Sequence, residues 1–110
     1  MPWLVRGDDV LAATEVAVTR RLRARGLIGR EDLEAILVLR PCRQVHTFGM
    51  RFPIDVVYAD REGRVLKLVR AIRPWRASYC VGAKTALELP VGAIDRVGVE
   101  VGDHLVIEHT

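Results

Sequence analysis

The stretch FPIDVVYADREGRVLKLVRAI, Phe52 to Ile72, decides the fold class. Phe52, Ile54, Val56 and Tyr58 recur at every second residue, the spacing that puts alternate side chains on one face of a β-strand. Asp60-Arg61-Glu62-Gly63 reads as a hairpin turn, with glycine where a positive φ costs little. The partner strand runs from Arg64 to Ile72, with Leu66, Leu68 and Ile72 expected on a shared face. A lone hairpin is marginal in water, so its apolar face needs further strands or a helix.

The flanking sequence supplies them. Towards the C-terminus, Pro74-Trp75-Arg76 breaks the hairpin and Ala86 to Leu89 forms a short strand stopped by Pro90. Ala93 to Val97 reads as one helical turn closed by Gly98, and Gly102-Asp103 as a turn before a last strand, His104 to Glu108, with Leu105 and Ile107 inward. Towards the N-terminus, Ile36 to Leu39 is a fully apolar strand ended by Arg40-Pro41, since proline lacks a ladder donor. Val10 to Val18 alternates as a half-buried strand; Thr19 to Arg25 reads as a capped, mostly exposed helix ended by Gly26. Cys42 to Pro53 has no regular period and reads as irregular. Six or so short strands with tight turns predict a mainly β, compact sandwich or barrel-like single domain over 1–110, core about 12–108, with one or two short helices.

Half of the 110 residues are hydrophobic and 28% are charged, an ordinary globular composition. No run reaches the ~18 apolar residues of a membrane helix. The first residues lack the charged and apolar regions of a signal peptide. Two cysteines, Cys42 and Cys80, are too few for a stapled secreted domain, so the expectation is a cytoplasmic protein with reduced thiols. The net charge is +3, with Arg20, Arg21, Arg23, Arg25 and Arg30 clustered. Glu31, Asp32 and Glu34 follow at once, and no aromatic residue lies between those arginines to stack on bases, so this reading disfavours nucleic acid.

Reactive side chains concentrate in Cys42 to Asp55, a proline-flanked segment of the kind on which sites are grafted. Cys42, His46 and Met50 are soft ligands spaced four apart, but Gly49 and Pro53 oppose the helix that would align them, and no metal site is expected. Cys42 and His46 are the residue types of a thiol nucleophile and its base. His46, Arg51 and Asp55 are the polar groups of a small-ligand pocket, with Met50 beside them. Asp55, between Ile54 and Val56, needs hydrogen-bond donors or an arginine to lie buried. On the structural reading it pins the preceding loop through that loop's N–H groups, with His46 as cap.

Arg23-Ala24-Arg25-Gly26-Leu27-Ile28-Gly29-Arg30 followed by Leu33 resembles the R-x-R-G-L-M-x-R-x-x-L block of the DUF192 family. His46 to Asp55 resembles that family's second block; Leu87-Glu88-Leu89-Pro90-Val91-Gly92 and Val101-Gly102-Asp103 resemble its third and fourth, in the family's order. Ile28 replaces the usual methionine, and Gly49 and Arg51-Phe52 depart from F-W-M-K-N. The resemblance implies a mainly β, sandwich-like fold and no established activity.

The expectation that follows is a non-enzymatic module binding a small ligand or a protein partner, without cofactor or membrane, as a monomer or weak homodimer. Its site residues are His46, Met50, Arg51 and Asp55, with Arg25 or Arg30 reaching Asp55 as an ion pair. The alternatives are an enzyme on a small polar or anionic substrate, with His46 as acid or base and Asp55 orienting it, and a protein-interaction module working through an apolar patch near Trp3 or Trp75.

Overall fold

A computed structural model describes residues 2–17 and 36–109. The described strands are β1 (Pro2–Arg6), β2 (Asp9–Ala17), β3 (Ile36–Leu39), β4 (Gln44–His46), β5 (Ile54–Ala59), β6 (Val65–Ile72), β7 (Ala77–Tyr79), β8 (Thr85–Pro90) and β9 (Val106–His109), with a short helix, α1 (Ala93–Val97), between β8 and β9. The mainly β, single-globule architecture is the one expected. Seven strands form one sheet in the order β6-β5-β8-β3-β2-β1-β9, and β4 pairs with β7 as a small second sheet. All pairings are antiparallel except β2 with β3.

The long sheet curls until the start of β6 meets the turn before β9. Arg64 bridges His104, Val65 N–H donates to Asp103 O at 2.8 Å, and Leu105 N–H donates to Gly63 O at 2.8 Å. Gly63 has φ +89, and a Cβ there would run into the Leu105 carbonyl, so only glycine permits this closure. The contact is confined to residues 63–65 and 102–105, where the chain enters β6 and β9.

Closure gives the sheet an inner and an outer face, and each carries its own apolar layer. The inner layer unites Leu4, Val38, Val57, Val65, Leu87, Leu89, Val99 and Leu105 with Ile94 of α1, which plugs one end. The outer layer lies over β3, β5 and β8: Leu37, Leu39, Ile54, Val56, Tyr58 and Ala86 pack with Cys42, Val45 and Met50 from the β4 region. Strand alternation therefore has two apolar faces to fill, which explains why β3, β5 and the centre of β8 are buried throughout.

Several local expectations are corrected. Cys42 to Pro53 is not wholly irregular, because Gln44–His46 pairs with Ala77–Tyr79, a segment too short to show a period. The N-terminal Pro2–Arg6 is also a strand. Leu66, Leu68 and Ile72 do not share a face. The register of β6 against β5 slips twice, between Ile54 and Val56 and between Tyr58 and Ala59, so Leu66 is exposed, Leu68 packs on the inner layer and Ile72 lies in the outer one. Each bulge resets the alternation that an unbroken strand would keep. The helix expected at 19–25 lies outside the described residues.

Candidate functional site

Asp55 lies on β5 between two outer-layer residues, so its side chain points to the inner face. It is 1% exposed, and its carboxylate accepts three backbone N–H groups: Ala71 at 2.9 Å, Gly92 at 3.0 Å and Ile94 at 3.0 Å. Ala71 belongs to the β6 bulge and has φ 51, and Gly92 and Ile94 open α1. These are amides that neither a ladder nor a helix turn satisfies. Asp55 is thus a pin, as the structural reading requires, but its donors come from β6 and α1 rather than from the preceding loop. Arg25 and Arg30 lie outside the described residues.

The loop itself is held by Thr47, which the sequence reading passed over. Thr47 is fully buried; its hydroxyl donates to Arg73 O at 2.6 Å and accepts from Arg76 N–H at 2.9 Å. Thr47 N–H donates to Arg76 O, and Thr47 O accepts from Trp75 N–H at 3.0 Å. Four bonds from one residue fasten the loop after β4 to the loop before β7. A lone threonine between His46 and Phe48 gives no sequence signal for such a role.

His46 and Met50 part company. Met50 is buried in the outer layer, whereas His46 is exposed and accepts a long bond, 3.4 Å, from Phe48 N–H to its Nδ1. The His46 ring stacks on Phe48 at 4.9 Å, and Phe48 stacks on Trp75 at 6.0 Å. Arg51 is exposed. The described partners of Asp55 do not include His46, and the barrel wall separates Asp55 from the outer layer that holds Met50. Cys42 is buried, and its thiol donates to Gln44 O at 3.0 Å. Both cysteines are unbridged. Among the described residues no three His, Cys, Asp or Glu side chains gather as a metal-ligating set.

A second carboxyl, also unremarked in the sequence reading, has the opposite character. Glu88 sits on β8 directly across from Val56 of β5 and Leu37 of β3, both outer-layer residues. It is 7% exposed, and among the described residues no group donates a hydrogen bond or ion pair to it. Burial pushes its pKa up from the ordinary 4.5 to about 7. The phenol of Tyr58, on the same face, is likewise raised by burial, while its hydroxyl bonds Ser78 of β7. The signal for Glu88 was the one used for Asp55, a carboxylate between two leucines in an apolar strand.

The open end of the barrel, far from α1, holds a cavity of about 300 Å³ floored by Leu4, Leu87 and Leu105. Arg40 and Arg61 at its rim are balanced by Asp60 and Glu62, and the Asp60 side chain is spent on the amides of Glu62 and Arg64.

The DUF192 family model, described as "Uncharacterized ACR", matches residues 4–107. The chain belongs to the DUF192 family. A UPF0127 protein of Thermococcus sibiricus is 37% identical over 107 residues, 91% of this chain and 69% of that protein. A UPF0127 protein of Pyrococcus abyssi is 35% identical over 95 residues, 81% and 80% of the two chains. A crystal structure of a protein of unknown function from Novosphingobium aromaticivorans superposes with a TM-score of 0.81 at 23% identity, covering 96% of this chain and 83% of that one. This last likeness concerns the fold alone. No helix among the described residues of this DUF192 chain is long and apolar enough to cross a membrane.

Proposed function

We propose that the chain is a non-enzymatic small-ligand-binding module, and that its ligand brings a cationic group to Glu88 in the outer apolar layer beside the 42–55 segment. The observation that carries this is a carboxyl 7% exposed, between Leu37 and Val56, with no described partner. A stably folded domain gains nothing from such a group, since a buried carboxylate costs stability unless paired. Residues that break a folding rule without local compensation are where function is expected. An ammonium or guanidinium on an apolar body satisfies both the carboxylate and its leucine and valine neighbours. Met50 belongs to the same layer, which keeps it in the proposed site, while Asp55 supports the wall from the far face. The cysteine count favours the cytoplasm as its compartment.

The test is an NMR titration with n-hexylamine and, as neutral isostere, 1-hexanol, on the wild type and on Glu88→Gln. The amine should shift the Leu37, Val56 and Glu88 amides in the wild type only, more strongly at pH 8 than at pH 6. Equal shifts by amine and alcohol, or an amine response surviving in Glu88→Gln, would refute the reading.

One observation favours acid–base catalysis as a second reading. A carboxyl titrating near 7 is matched to proton transfer at neutral pH. In that case Glu88, rather than a His46–Asp55 pair, is the group to test.

A further inference from the structure

The outer side of the β4–β7 sheet exposes aromatic residues in a row. Val45 is buried and Tyr58 bonds Ser78, so the neighbouring register pairs Gln44–Tyr79 and His46–Ala77 face outward. Beyond His46 the row continues through Phe48 to Trp75, which are 46% and 65% exposed, and Tyr79 at the other end is 66% exposed. The planes of His46 and Phe48 meet at 29°, those of Phe48 and Trp75 at 23°. Trp75 stands at φ 63, a conformation bulky residues avoid, and is kept there by its bond to Thr47. Holding a tryptophan out in water at a strained position does nothing for the core.

The two segments that carry the row hold charge of one sign. Residues 40–53 and 73–84 contain Arg40, Arg43, Arg51, Arg73, Arg76 and Lys84 and not one aspartate or glutamate, although the chain has 14 acidic residues. Lys67 adds its ammonium 5.8 Å above the Tyr79 ring. Exposed rings on segments that carry cations and no carboxylate are the pattern of a single-stranded nucleic-acid surface, where bases stack on the rings and phosphates lie along the cations.

We infer that the exposed His46–Phe48–Trp75–Tyr79 strip, with Arg43, Arg51, Arg73 and Arg76 around it, binds a short single strand of nucleic acid. The sequence reading disfavoured nucleic acid because no aromatic residue interleaves Arg20 to Arg30; the rings stand instead among the arginines of two other segments, which only the β4–β7 pairing brings together. This site is separate from the Glu88 layer, and its success or failure leaves that reading untouched.

The test is fluorescence anisotropy with a fluorescein-labelled twelve-nucleotide oligothymidylate in low salt. Binding should quench tryptophan emission and weaken with salt, with a log–log slope of about −2 to −3 if three to four phosphates are neutralised. Phe48→Ala and Trp75→Ala should each weaken it about tenfold. Circular dichroism and melting curves identify the folded variants, and Phe48→Ala keeps the test open if the Trp75 variant does not fold. The inference is overturned by no binding at low salt, by affinity unchanged in the folded variants, or by equal affinity for duplex DNA, polyglutamate or phosphatidylserine vesicles.

Discussion

Asp55 and Glu88 lie on adjacent strands, one residue out of register, and point to opposite faces of the same barrel wall. Leu89 is the register partner of Asp55, and Val56 that of Glu88. Both carboxyls are more than nine-tenths buried, yet one accepts three backbone amides and the other has no described partner. The difference is one of neighbours rather than of depth. The inner face offers Asp55 a bulge and a helix start, both rich in unused N–H groups, whereas the described register neighbours of Glu88 on the outer face are the apolar Leu37 and Val56.

Glu88→Gln should stabilise the protein above neutral pH. With a folded pKa of about 7 against 4.5 unfolded, the native state holds the proton more tightly than the unfolded chain. Stability therefore falls as pH rises from 4.5 to 7, and the full cost of about 3 kcal/mol stands above that range. Urea denaturation at pH 5 and pH 8 should show the variant's gain at pH 8 and little change at pH 5. A loss at pH 8 would mean that the carboxylate has a cationic partner.

Asp55→Asn should destabilise by about 2–4 kcal/mol, because a side-chain amide puts an N–H group among three N–H donors. Hydrogen exchange should localise the damage to Ala71, Gly92 and Ile94. Protection lost instead around residues 47–53 would contradict the assignment of the pin to β6 and α1.

Thr47→Val retains shape and removes the hydroxyl that joins two loops. A cost of about 1–3 kcal/mol is expected from stranding the Arg76 N–H group and the Arg73 carbonyl. The tryptophan emission spectrum should change with it, since Thr47 O also anchors the Trp75 N–H group. A silent spectrum with unchanged stability would show that the loops hold without it.

Gly63→Ala should cost more than an ordinary turn substitution, on the order of 2 kcal/mol or above, because the added Cβ meets the Leu105 carbonyl as well as an unfavourable φ. Exchange protection at Val65 and Leu105, the amides that close the barrel, should drop first. Uniform loss across the sheet would argue against a local closure.

Much of the fold was already legible in the chain. Alternation at Ile54, Val56 and Tyr58, the apolar run Ile36–Leu39, the Gly63 turn, the helical turn at Ala93–Val97 and the final strand are local patterns, fixed by the period of the backbone and by glycine's freedom at positive φ. They sufficed for a mainly β domain, and four ordered blocks sufficed for the family. Asp55 was rightly read as a residue demanding partners, because the cost of an unpaired buried carboxylate holds in any fold. Which partners it takes was not local: they come from Ala71, Gly92 and Ile94, brought to it by the β6 bulge and by α1. The same holds for the register slips in β6, the pairing of β4 with β7, the meeting of Gly63 with Leu105 and the separation of Met50 from Asp55 by the barrel wall. Each depends on contacts between residues distant in sequence, whose energies appear only when the chain has closed on itself, and those contacts decide which side chains can share a site.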